Sequence, residues 1–304
     1  MRIAFVYDAG DREGAIGGYF TRAAEALGLD AAHWTLAEAS RESPVDLHVR
    51  VDHGDEYEVP WPEALHPCVF YAVDTHLPHS WRKIRRTAGW YDLVACCHRA
   101  AAEHLGAEWV PVGCDPEFHA APPGVARDLD VAFVGTDGGV PRKLYLQALR
   151  ERYTNSFIGL APCADLATFY GRARIAFNYS IRDDVNMRMF EAMAAGAALV
   201  TNRLSHDDLD RLGLRDGEHF LSYRGARELF GLIERLRGDA DERERIADAG
   251  RRAVLAAHTY RHRLAQLLSL AESHLSVRIF EGQGAGGKGH ENAPAPRPVP
   301  LAPR

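Results

Sequence analysis

The sequence predicts an α/β protein made of two similar halves, each a parallel sheet with helices, facing one cleft. Three observations lead there. Residues 173–201 read as strand, polar loop, helix, Gly196, strand, which is a βαβ crossover. The strand–Gly loop–helix pattern of residues 3–27 recurs at 130–153, as two related halves would show. The chain has 304 residues, 46% hydrophobic and 26% charged, enough for two ordinary domains with their own cores.

Composition excludes several classes of function. A net charge of −6 argues against a nucleic-acid surface. The five cysteines show no Cys-x-x-Cys spacing, which disfavours zinc, and the odd count fits a reducing cytoplasm. No apolar run approaches the ~18 residues of a membrane span. The opening Met-Arg-Ile-Ala-Phe-Val-Tyr reads as a strand rather than a signal peptide.

In the first half, residues 3–7, 46–51, 67–73, 91–96 and 109–113 are expected strands. A polar loop, 8–18, leads into a helix over 19–27 that Gly28 ends. The loop lacks Gly-x-Gly-x-x-Gly, so a nicotinamide cofactor is not supported. Asp74-Thr75-His76 follows the third strand, where reactive groups of α/β sheets collect. Asp74 is a candidate acceptor contact or base. Residues 81–86, Trp-Arg-Lys-Ile-Arg-Arg, form a basic helical segment, read as a solvated face or as a contact with an anionic acceptor or membrane surface. Any membrane contact is peripheral at most. Ala-Ala-Pro-Pro-Gly-Val at 120–125 has linker composition.

In the second half, strand 130–135 ends at Gly135, and Arg142-Lys143 opens the next helix. Two cations at a loop–helix junction can neutralise a diphosphate leaving group. A weak strand, 156–160, and a helix, 165–173, precede the crossover. Loop 181–187 then lies between a strand's carboxyl end and a helix's amino end, where free N–H groups favour an anion. Asp183, seven residues, then Glu191 frame that loop. A carboxylate such as Glu191 can accept two adjacent hydroxyls, as in a ribose. Arg188 offers a fork for phosphate, beside the amides of Asn186, Met187 and Arg188; spacing alone equally allows a Glu191 that caps its own helix and an Arg188 on the surface. Asn178 and Ser180 end the strand, and either ligand contact or local turn bonding accounts for them. His206-Asp-Asp-Leu-Asp210 reads as a short surface helix rather than a metal site. A strand at 218–223 and helices at 225–237 and 239–257 follow.

Asn-Met-Arg-Met-Phe-Glu-Ala-Met-Ala-Ala-Gly at 186–196, with Asp216-Gly217-Glu218 and Tyr223, resembles the donor site of retaining GT-B glycosyltransferases, closest to the spore-maturation CgeB-like group. Asp183 stands where Glu is commoner, and Asp184-Val185-Asn186 where Gly-Phe-Gly is usual. Cys114-Asp-Pro-Glu-Phe-His119 resembles the segment leading such chains into their second domain, and residues 258–268 the helix that crosses back. Residues 281–304, Gly- and Pro-rich with too little apolar content to pack, read as a disordered tail outside the fold. The resemblance implies two Rossmann-like α/β domains facing across a cleft: an acceptor domain at 1–122, a donor domain at 123–260 and a returning helix at 261–280. It implies transfer of a sugar from a nucleotide-sugar donor to a small-molecule, glycan or protein acceptor, with no cofactor or metal. It gives Gly17 and Gly18 to the donor diphosphate, with Gly135, Arg142 and Lys143, and His76 to the transferred sugar, with Asp183 as the first acid. A GT-B-shaped epimerase or phosphorylase, a non-catalytic nucleotide or sugar binder, and a surface-assembly scaffold remain open.

Overall fold

The computed structural model describes residues 1–7, 14–42, 44–52, 60–275 and 277. Part of the expected first loop, 8–13, and the tail at 281–304 lie outside the described residues.

The first domain contains β1 (Arg2–Val6), α1 (Ile16–Ala26), β2 (Asp30–Trp34), α2 (Leu36–Ala39), β3 (Leu47–Val51), β4 (Cys68–Ala72), α3 (Pro78–Thr87), β5 (Leu93–Cys96), α4 (Arg99–Leu105) and β6 (Glu108–Trp109). The six strands are parallel, in the order β2-β1-β3-β4-β5-β6. The central strands are buried on both faces, which is why their apolar runs are legible without alternation.

The second domain contains β7 (Leu129–Val134), α5 (Arg142–Arg152), β8 (Ser156–Gly159), α6 (Leu166–Arg172), β9 (Ala173–Asn178), α7 (Met187–Ala194), β10 (Ala198–Asn202), α8 (Asp208–Arg211), β11 (Leu221–Tyr223), α9 (Ala226–Gly238) and α10 (Ala240–Ala257). Its parallel sheet runs β11-β10-β9-β7-β8. Gly196 has φ +83°, a left-handed stop that allows α7 to turn directly into β10. The strand order reverses between β7 and β9, which opens a crevice at their carboxyl ends.

The last helix, α11 (Tyr260–Leu275), returns to the first domain and packs on α1 and β5. The outgoing and returning segments are pinned together. Cys114 N–H donates to His258 O at 2.9 Å, and Tyr260 N–H donates to Cys114 O at 2.8 Å. Arg263, buried there, donates through Nε to Val112 O at 3.1 Å. Tyr260 packs against Tyr19 and Phe20, with ring centroids 5.1 and 5.2 Å apart. One apolar cluster runs through this crossing from the first sheet to α7. No helix among the described residues is long and apolar enough to cross a membrane.

Three sequence expectations change. The strand expected at 109–113 is only Glu108–Trp109. Strand β2 was not foreseen; it is a half-buried edge strand, Asp-Ala-Ala-His-Trp, without a β-branched residue. The basic segment 81–86 is not simply a solvated face. Lys83 turns inward, 2% exposed, and its Nζ lies 2.7 Å from Oδ1 of buried Asp52. A buried carboxylate behind the helix accounts for that lysine.

Candidate active site

A cleft of about 640 Å³ lies between the domains. Its first wall is the segment after β4, with Asp74 and His76, and the start of α4, with Cys97 and His98. Its second wall is the loop before α5, the 181–186 loop and the first turns of α7, ending at Glu191.

Helix α7 begins without a side-chain cap, so first-turn N–H groups face the cleft unsatisfied by their own helix. Arg188 folds back across β7. Its Nε donates to Val134 O at 2.9 Å and its Nη1 to Asn178 Oδ1 at 3.0 Å, and its guanidinium stands 4.4 Å from the Phe133 ring centroid. Gly135 permits this approach: at φ +147° it takes a conformation that side chains avoid, and a Cβ there would collide with the Arg188 guanidinium. Arg142 stands over the same ring at 5.6 Å and donates to Asp137 O at 3.1 Å and Thr136 Oγ1 at 3.3 Å. Burial first, then Arg188, lower its pKa. Both guanidiniums are therefore fixed by neutral acceptors. Among the described residues, neither forms an ion pair with a carboxylate, which leaves positive charge for an anion.

Glu191 sits at the cleft floor, 7% exposed. Burial raises its pKa from 4.5 to about 7, with Arg188 pulling the other way.

On the opposite wall, the N–H groups of Val73 and Asp74 both donate to Asp52 Oδ2 at 3.2 Å, so the Asp52–Lys83 pair anchors the turn that presents Asp74. Burial, then the Asp52 charge, raises the Asp74 pKa. His76 meets His98 edge-on, with centroids 4.8 Å apart, and its Nδ1 is buried without a hydrogen bond. His98 pairs through Nδ1 with Thr75 Oγ1 at 2.7 Å, and burial followed by His76 holds it down to about 4. Across one end of the cleft, Arg99 Nε donates to Asp208 Oδ1 at 2.6 Å and Nη2 to Asp207 Oδ1 at 3.3 Å. Those acids thus join the two domains.

Asp74, His76, Arg142, Asn186, Met187, Arg188 and Glu191 come together around this one cleft. Five other candidates do not line it, and of these Gly135 serves the site only by making room for Arg188. Gly17 and Gly18 lie in the first turn of α1; a Cβ on Gly17 would come 2.7 Å from the Tyr7 ring, so tight helix packing explains that glycine. Lys143 is exposed, one position round the helix from Arg142. Asp183 lines a neighbouring pocket of about 430 Å³ and accepts from Ser205 Oγ at 2.5 Å. Its φ of +56° reverses the loop at that residue, and Asp184, 6% exposed, is the acid that lines the cleft. Asp184 and His98 were missed in the sequence. Asp184 carried a signal only as the second half of an Asp-Asp pair, and His98 as a polar residue following a buried strand. Asn178 and Ser180 act locally: Asn178 orients Arg188, and Ser180 Oγ donates to Asp184 O at 2.6 Å.

Residues 125–269 match the family described as glycosyl transferase-like. No curated protein sequence matches the chain significantly. Several solved structures share its fold. Anabaena HepE, in complex with UDP and glucose, aligns with a TM-score of 0.59 at 13% identity, covering 90% of this chain and 100% of that one. Sucrose-phosphate synthase from Thermosynechococcus elongatus gives 0.60 at 12%, covering 91% and 100%. T4 phage BGT, in complex with its UDP-glucose substrate, gives 0.57 at 12%, covering 92% and 100%. The chain therefore has the two-domain α/β architecture of GT-B proteins, and its second domain with the returning helix carries the glycosyl transferase-like pattern.

Proposed function

We propose that the protein is a glycosyltransferase that moves a sugar from a nucleotide-sugar donor to an acceptor hydroxyl. The observation that carries this is the Arg142–Arg188 pair, two cations without a carboxylate partner among the described residues, set beside the uncapped α7 start and above the buried Glu191. In this reading Glu191 accepts the ribose hydroxyls, and the diphosphate lies against both guanidiniums and the amides of 186–188. UDP-sugars are the donor class to try first, because the similarly folded HepE and T4 phage BGT are found with UDP and glucose or with UDP-glucose. Resemblance of the α7 sequence supports the CgeB-like branch, and the buried free thiols of Cys68, Cys96, Cys97 and Cys114 fit a cytoplasmic setting.

Breaking the bond between the sugar carbon and the phosphate oxygen leaves negative charge on the diphosphate. Prefixed cations and N–H dipoles stabilise it without reorganisation, in the role a metal would otherwise fill. The donor sugar then lies between Asp184 and the Asp74–His76 wall, and the acceptor enters from the first domain. The resemblance supports retention, with the departing phosphate taking the acceptor's proton. The raised pKa of Asp74 favours a second reading, inversion with Asp74 as base. NMR of the product's anomeric proton separates the two.

The test of the donor site is Arg188→Met. Calorimetry should show UDP binding weakened by about 10-fold or more, the loss of one charged phosphate contact, with uridine binding unchanged. Equal losses for uridine and UDP would refute the diphosphate assignment.

A further inference from the structure

We infer that His119, in the segment joining the two domains, is a positioning residue for Glu191, its Nε2–H aimed at that carboxylate to hold it for the paired hydroxyls of a ribose. The inference rests on the donor reading above and deepens it.

The linker is wound so that the ring has one orientation. Asp115 accepts from the N–H groups of Glu117 and Phe118 at 2.9 and 3.0 Å, and from Arg22 Nε of α1 at 2.7 Å. His119 N–H donates to Asp115 O at 2.9 Å, and Asp115 N–H donates in return to His119 Nδ1 at 2.9 Å. With Nδ1 accepting, the proton of the neutral ring is on Nε2. Burial holds the ring neutral, its pKa lowered to about 4. It is 0% exposed, and Tyr19 and Phe118 close on it edgewise at 5.0 and 5.4 Å.

Nε2 is left buried with no hydrogen bond, and Glu191 Oε1 lies 3.7 Å away. A buried N–H without an acceptor is rare and costly, so a site poised just short of contact is explained by what completes it. Hydroxyls donating into Glu191 need the carboxylate ionised, yet burial favours its protonated form. The groups that face it are Arg188 on its own helix, Tyr170 from α6, Tyr19 from α1, Tyr260 from α11, and Cys114 with His119 from the linker. Arg188 is already committed to Val134 O and Asn178, and the Tyr19 hydroxyl donates to Gly14 O. His119 supplies a directed N–H from the part of the chain that joins the two domains.

UDP and 2′,3′-dideoxy-UDP are the probes, titrated calorimetrically from about pH 5.5 to about pH 8.5 against the full chain. Wild-type affinity for UDP should rise with pH as Glu191 ionises. His119→Phe and His119→Ala, both without the donor, should weaken UDP binding about tenfold at neutral pH, the loss of one charge-assisted hydrogen bond, and move the rise to higher pH. Both should bind the dideoxy analogue as wild type does, and His119→Gln, which restores an N–H, should recover UDP affinity. Wild-type UDP affinity and pH profile in whichever donor-less variant folds would overturn the inference. So would equal losses for the two probes, or a Gln variant no better than Ala. Wild-type protein that binds no UDP, or Glu191→Ala that binds UDP normally, would instead refute the donor site itself, and the role of His119 with it.

Discussion

Glu191→Gln tests the cost of burying a carboxylate for function. Folding raises the Glu191 pKa from 4.5 to about 7 through burial. The folded protein therefore keeps a proton that the unfolded chain releases. Stability from this group is full below 4.5 and is lost as pH rises through about 7. The gap, at about 1.4 kcal/mol per pH unit, makes a loss of about 3 kcal/mol for the wild type between acid and pH 8. Gln is neutral throughout and escapes the loss. Denaturant unfolding of the second domain should show the variant gaining on the wild type by about 2–3 kcal/mol between about pH 4.5 and about pH 8, while its UDP affinity falls. A stability difference that stays constant across that range would refute the buried, perturbed carboxylate.

Two further outcomes are expected. Asp184→Asn should lower the transfer rate by about 10²-fold, whereas Asp183→Asn, in the neighbouring pocket, should change it less than about 3-fold; steady-state kinetics with a UDP-sugar and a working acceptor check the order, and the reverse order rules out Asp184. Lys83→Met removes the buried Lys83–Asp52 ion pair and should destabilise the first domain by about 3–5 kcal/mol, read by chemical denaturation.

Most of the architecture was legible because parallel strands buried on both faces write continuous apolar runs, as Cys68–Ala72 and Ala173–Asn178 do. Strand β2 left no such mark, because an edge strand half in solvent needs neither β-branching nor alternation. The donor helix was legible from its Glu-Ala-Met-Ala-Ala-Gly run. Which of two adjacent acids enters the cleft was not, since the choice is made by one positive φ at Asp183, which the tertiary setting enforces. Lys83 was hidden for a similar reason: its partner Asp52 is 31 residues away, and only packing turns that lysine inward. His119 could be seen as part of a linker motif, but its relation to Glu191 is a distance between domains, which spacing in sequence does not encode.

The pairing of Cys114 with Thr259 means that the polypeptide enters and leaves the second lobe through one doorway. A gene cut after residue 122 would strip the first lobe of α11 and bare the Tyr19–Phe20 face that Tyr260 covers. The natural cassette is instead the stretch from 114 to 259. Exchanging it between proteins of this architecture would graft a new donor lobe onto an intact acceptor lobe, with both seams at a single bridge.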